Sequence, residues 1–230
     1  MRVAILQSSY IPWKGYFDLI HAVDRFVFYD DVQFTTRDWR TRNRIKTRNG
    51  SQWLSIPAGA DRDRLIHEVV LEDDQWQRKH WACIIHNYAK APYFKRYSEF
   101  FESLYLARRW RSLSEFNQHA TRTIAADMLG ITTEFRDSRE FPAQGRRQER
   151  LISLLSHMGA THYVSGPSAS SYLDPGSFVA AGIELSYHDY AGYPEYPQRH
   201  PPFEHAVSVL DLLFNVGPGA GLWIWGWRGA

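Results

Sequence analysis

The chain has 230 residues, 27 Lys and Arg against 25 Asp and Glu, and a net charge of +2 at pH 7. No overall field therefore draws it onto nucleic acid or an anionic membrane. Its hydrophobic fraction of 44%, with 9 Trp, 13 Tyr and 13 Phe, excludes intrinsic disorder, and a lone Cys83 excludes an intrachain disulfide framework or a cysteine-rich zinc site.

Val3 to Leu6 is a short apolar run, the pattern of a buried strand. After a polar loop with Ser8, Ser9 and Pro12, apolar residues at Phe17, Leu19, Ile20 and Val23 predict a helix, and Arg25 to Tyr29 a second strand. Strand, helix and strand in this order predict a right-handed βαβ unit whose two parallel strands end at one sheet edge. Open α/β sheets bind ligands at that edge. Gln7 to Pro12, Asp30 and Asp31 fall there.

Further strands are predicted at Gln52 to Ile56 and Ile66 to Leu71, followed by a mainly helical stretch from about 75 to 130, broken at Pro92 and closed by Gly130. A short strand near Thr133 to Phe135, a helix over Glu149 to Met158 and strands at Tyr163 to Ser165 and Ile183 to Tyr187 complete the alternation. Pro194, Pro197, Pro201 and Pro202 exclude a regular helix over Ala191 to Phe203, and a last helix is expected at Ala206 to Phe214. The fold class is α/β, with a mainly parallel sheet starting from a βαβ unit and a helical insertion or subdomain in the middle. One domain over 1–217 is expected. A Gly- and Trp-rich tail over 218–230 would follow, with the alternation of a short strand at Trp223, Trp225 and Trp227.

Arg37 opens a basic run in which Arg40, Arg42, Arg44, Lys46 and Arg48 occupy every second position. On an extended chain they share a face that can grip phosphate or carboxylate, or serve as a solvated surface. Trp39 and Asn43, set among the charges, suit a pocket wall. Asp30 and Asp31 are candidates for a general base or for gripping a hydroxyl, an ammonium group or a hydrated metal, or else turn residues. The run Tyr163 to Tyr172, with Ser165, offers hydroxyls and N–H groups after a strand; it is no P-loop and no nucleophile elbow. His80 and Cys83 sit three apart on a helix, although a lone cysteine there is more often buried and inert. Asp211 and Asn215 share a face of the last helix, as site residues or as packing and capping groups. No nearby His or Cys makes a transition-metal site beside the aspartates, and no protein metal site is expected; magnesium could enter only through substrate phosphates, and no cofactor is named by the sequence.

Taken together, Gln7 to Ile20, Tyr29 to Phe34, Trp39 with Arg42 to Ile45, Gln52 to Pro57, Tyr163 with Ser165 to Pro167, and Ser208 to Asn215 resemble the WbqC-like family. Members occur in bacterial O-antigen and related biosynthetic clusters, and some carry the label of glycine transferase. The resemblance implies a transferase moving an acyl or aminoacyl group, such as glycyl, to an amine such as that of an amino sugar. Asp30 or Asp31 would then bind or deprotonate the amine, Arg42 and Arg44 would hold a phosphate, and Tyr10 and Gln33 would orient the acceptor. Lys14, Gln7, Arg37, Asn43, Ser165 and Tyr172 complete the candidate substrate-binding set.

The alternatives are a nucleotidyl transferase or nucleotide-activating ligase, and a non-enzymatic scaffold. Tyr16 and Phe17 stand where nucleotidyl transferases carry histidine. The expected partner is a phosphate-bearing small molecule; an aminoacyl-tRNA donor remains compatible, and the oligomeric state is not fixed by the sequence. The opening residues lack the apolar stretch and cleavage site of a signal peptide, and no run approaches the roughly 20 apolar residues of a membrane span, so a cytoplasmic location is expected.

Overall fold

The computed structural model describes residues 1–229, so Ala230, the last residue of the expected tail, lies outside the described residues. Strands β1 (Arg2–Leu6) and β2 (Arg25–Phe28) flank helix α1 (Lys14–His21), and they pair in parallel with Val3 opposite Arg25. Three further strands, β5 (Glu134–Asp137), β6 (His162–Ser165) and β7 (Glu184–Tyr187), complete a parallel sheet of order β5-β2-β1-β6-β7. An antiparallel hairpin of β3 (Arg42–Thr47) and β4 (Gly50–Ser55) stands apart from it.

Side chains alternate across the sheet because successive residues of a strand point to opposite faces. Val3, Ile5, Val27 and Tyr163 join one apolar cluster, closed by α5 (Gln148–His157) and α6 (Pro175–Ala180) through Leu154, Leu155 and Phe178. Ala4, Phe26, Phe28 and Val164 join the other, under α1, the middle helices α2 (Gln75–Tyr88), α3 (Phe94–Leu106) and α4 (Leu113–Thr123), and α7 (Val209–Val216). Helix starts follow their caps. Ser112 accepts from the Glu115 N–H at α4, and Asp174 caps α6, with Pro175 at the first helical position. Past α4 the chain continues as a π-helical turn over Ile124–Met128.

Two expected strands are replaced by tighter turns. Over Ile66 to Leu71 the buried residues are Ile66, Val69 and Leu71, a spacing that starts with three and breaks the strict alternation of a strand. The chain there makes a 3-10 turn, Ile66–Glu68, in which the Glu68 carboxylate accepts the Leu65 N–H at 2.7 Å. The Trp-rich tail likewise forms 3-10 turns, Gly217–Trp223 and Gly226–Gly229, with Ala220 and Ile224 buried. It folds back on α1, where the Trp225 ring stacks on His21 at 4.0 Å. The proline-containing segment is a loop, as expected, and Tyr193 and Tyr196 bury it against the core.

Candidate functional site

β1 connects first to β2 and β5 on one side of the sheet, and the chain then returns to place β6 and β7 on the other. Neighbouring β1 and β6 therefore send their loops in opposite directions, which opens a crevice at their carboxyl ends. Two adjoining cavities occupy it. One, of about 1280 Å³, is lined by Gln7, Asp31, Gln33, Ser165, Tyr172 and the arginines Arg146, Arg147 and Arg150. The other, of about 470 Å³, is lined by Trp13, Tyr16, Trp39, Arg40, Asn43 and Tyr190. Leu6, Gln7, Gly166 and Ser168 belong to both. Loops following β1, β2, β5, β6 and β7 all contribute, because parallel strands deliver their exits to one edge.

The larger cavity is basic. Asp31 is its one lining carboxylate, and it accepts hydrogen bonds from Ser138 Oγ at 2.6 Å and from Arg150. Arg150 Nε has no hydrogen-bond partner. Arg146 and Arg147 are exposed and make no ion pair among the described residues. Burial pushes the Tyr163 phenol up to about 12, so it remains protonated as a hydroxyl at the cavity wall.

The smaller cavity is mostly apolar and its walls are fixed from behind. Trp13 packs edge-on against Tyr190, ring centroids 5.3 Å apart. The hairpin is stitched to the β1–α1 loop: Tyr10 N–H donates to the Trp39 carbonyl at 2.8 Å, and Asn43 Nδ2 donates to the carbonyls of Tyr10 and Ile11 at 3.2 and 2.7 Å. Arg40 Nη2 donates to Gln7 Oε1 at 2.9 Å. Among the described residues, Ile11, Arg37 and Arg147 are the non-glycine residues with positive φ, at 35°, 58° and 51°. Arg37 and Arg147 line cavities, and Ile11 adjoins cavity-lining Pro12. Such backbone strain collects at functional sites.

The expected site residues are thus divided. Gln7, Asp31, Gln33, Ser165 and Tyr172 gather at the larger cavity, and Asn43 at the smaller. Arg37 and Arg42 line a separate hollow beside Phe34 and Thr36. The alternating basic row is split: Arg42 and Arg44 lie over the Trp53 ring at 4.4 and 5.4 Å, while Lys46 is buried and bonds the Pro202 carbonyl.

Three candidates are buried and line neither cavity. Asp30 is fully enclosed, accepting the Ser8 N–H at 2.8 Å, Ser114 Oγ and Gln118 Nε2, and it lines neither cavity. Tyr10 is core, its hydroxyl shared with His80 Nδ1 at 2.7 Å and Tyr105 at 2.6 Å. Lys14 is buried with its ammonium 4.9 Å from the Tyr193 ring centre and 5.3 Å from that of Tyr196. His80 therefore serves Tyr10 and not Cys83, whose thiol burial pushes up. Asp211 is a buried hub for Tyr88, Tyr196 and Gln198, and Asn215 Nδ2 donates to its carbonyl.

Sequence reasoning missed Arg146, Arg147 and Arg150, and gave no role to Trp13 or Tyr190. The signal for the arginines was present: Gly145-Arg-Arg ends the loop that leaves β5 at the ligand edge. Among the described residues no group of three or more His, Cys, Asp or Glu is placed to hold a metal ion, and no helix is long and apolar enough to cross a membrane.

The profile of the WbqC-like protein family matches residues 7–221, a span that takes in every loop of the crevice. The chain belongs to the WbqC-like family. A Mycobacterium tuberculosis (strain ATCC 25618 / H37Rv) protein described as uncharacterized protein Rv1507c is 43% identical over 221 residues, 95% of each chain. No solved structure matches this WbqC-like chain.

Proposed function

We propose that this protein is a small-molecule transferase that holds a phosphate-bearing substrate across the crevice between β1 and β6 and moves an acyl or aminoacyl group to an amine. The observation that carries the substrate class is the set Arg146, Arg147 and Arg150 in one cavity with the strand ends. Guanidinium groups grip phosphate oxygens in pairs and cannot be neutralised near pH 7. Arg150 already holds Asp31, which leaves Arg146 and Arg147 as the unpaired cations for an incoming anion.

The reaction class rests on the family's place in surface-sugar biosynthesis. Asp31, the one carboxylate lining the cavity, is the seat for the acceptor amine, with Gln33 beside it. Neither Cys83 nor any histidine lines either cavity, which favours direct attack. The amine nitrogen bonds to the acyl carbon, the donor's leaving group departs with the electron pair, and Asp31 takes the amine proton.

A thermal-shift panel of nucleotides, nucleotide-linked sugars and acyl donors tests this on wild type, Arg147→Ala and Arg44→Ala. A ligand at a hundred times its dissociation constant stabilises by about 2.7 kcal/mol. The expected result is a shift that Arg147→Ala removes and Arg44→Ala keeps, since Arg44 lines neither cavity of the crevice. No shift with any phosphate-bearing compound sinks the proposal. Nucleotidyl transfer is favoured by the crevice position alone, and it predicts release of pyrophosphate from a nucleoside triphosphate.

A further inference from the structure

The two cavities of the crevice differ in chemistry although they share Gln7, Gly166 and Ser168. One offers arginines; the other offers the rings of Trp13, Tyr16, Trp39 and Tyr190. We infer that the aromatic cavity is a nucleobase site, so that the crevice takes a nucleoside phosphate with its base against Trp13 and Trp39 and its phosphate toward Arg147. The inference rests on the anion reading given above and adds the identity of the group attached to the phosphate.

Three observations favour a flat base over other occupants. The volume of about 470 Å³ suits a base with part of its pentose. Trp39 is 47% exposed and packs on Trp53 with ring centroids 5.7 Å apart, so an indole steadied by a second ring stays partly open to solvent at the cavity wall. The planar groups of Asn43 and Arg40, finally, are already engaged, which leaves the hydroxyls of Ser9, Ser168 and Tyr190 and the Gln7 amide N–H groups as the open polar contacts of the cavity. The Asn43 amide serves the Tyr10 and Ile11 carbonyls and the Arg44 N–H, and Arg40 serves Gln7 and lies 3.6 Å from Asp38. A hydroxyl-rich sugar ring would need such groups free. A base needs chiefly a π face, and stacking on an aromatic side chain serves any base. The turn Gly166 to Ser168, common to both cavities, then lies beside the pentose.

Calorimetric titration of the full chain with AMP, GMP, CMP and UMP, against ribose 5-phosphate, tests the assignment. At least one nucleotide is expected to bind about tenfold or more tighter than ribose 5-phosphate, within the roughly five- to hundredfold that stacking on one aromatic side chain supplies. Trp39→Ala should bring that nucleotide close to ribose 5-phosphate and leave ribose 5-phosphate unchanged, whereas Trp39→Phe, which retains a ring face, should keep most of the preference. Arg147→Ala should weaken both ligands. Equal binding of nucleotides and ribose 5-phosphate to wild type overturns the base site and leaves the anion site standing. A preference that survives Trp39→Ala in a variant with unchanged melting also overturns it. Binding of neither ligand overturns both readings.

Discussion

Arg228 reaches back from the last turn to clasp Asp18 of α1, Nη1 to Oδ1 at 2.9 Å and Nη2 to Oδ2 at 2.8 Å. His188 Nε2 stands 3.0 Å from the same carboxylate, and the Tyr193 hydroxyl donates to it. His188 in turn packs against Tyr190, a wall of the aromatic cavity, with ring centroids 4.9 Å apart. The tail, α1 and the crevice are thus joined through one buried carboxylate.

Arg228→Ala removes one of three partners of a buried group and should cost about 1–3 kcal/mol, read from urea unfolding at pH 7. Burial by itself pushes the Asp18 carboxyl up, but His188, Arg228 and Tyr193 outweigh it and hold it below the usual carboxylate range. A group depressed on folding stabilises above its unfolded value and loses that contribution as pH falls through the folded one. The gap between wild type and variant should therefore narrow below about pH 4.

Gly15→Ala tests the seat of Trp13. A methyl group on Gly15 would lie 2.3 Å from the Trp13 indole, which covers the glycine closely. The ring must swing away or the helix must shift, so ligand affinity at the aromatic cavity should fall while the affinity for ribose 5-phosphate holds. Titration of both ligands reads the difference, and equal losses would refute the separation of the two halves.

His80 sets an acid limit. Burial pushes its imidazole down to about 4, so the folded chain keeps it neutral where an unfolded chain, titrating near 6.5, takes up a proton. The unfolded state binds more protons between those values, and stability must fall as pH drops from about 6.5 to 4. Each pH unit of that window carries about 1.4 kcal/mol at most. His80→Gln should flatten this part of the stability–pH curve, whatever it does to stability at pH 7.

Lys14 acts at the other end of the scale. Burial pushes its ammonium down to about 8, with Asp211 opposing. Between there and the ordinary value of about 10.4 the unfolded chain holds more protons, so this residue makes stability rise with pH through that range. Lys14→Met should remove that rise, as measured by the difference between wild-type and variant urea midpoints at successive pH values. An unchanged slope would show that the aromatic rings around Lys14 compensate fully for its burial.

The start of the sheet was legible because β1 and β2 are apolar runs among polar loops, and the helical middle because its breaks fall at Pro92 and Gly130. The neighbouring aspartates were harder. Sequence treats Asp30 and Asp31 as a pair, but adjacent residues at a strand end face opposite ways, and one goes to Ser8 and α4 while the other goes to the cavity. The basic row misled for a related reason. Spacing put Arg42, Arg44 and Lys46 on one face of β3, yet only tertiary contacts with Trp53 and Pro202 decide what that face meets. Arg147 and Trp13, distant in sequence, become neighbours of one crevice only through the strand order.

The stitching of the hairpin to the β1–α1 loop has a kinetic meaning. The Tyr10 N–H on the Trp39 carbonyl and the Asn43 side-chain amide on the Tyr10 and Ile11 carbonyls hold two wall segments to each other, and the N–H groups of Ser208 and Val209 add bonds from the start of α7 to the Arg44 and Pro12 carbonyls. A ligand entering the aromatic half meets surfaces already in position, so little ordering accompanies its arrival. Association should follow a single exponential whose rate rises in proportion to concentration, without a slow isomerising phase. Differences between one ligand and another will then be written in how long each stays.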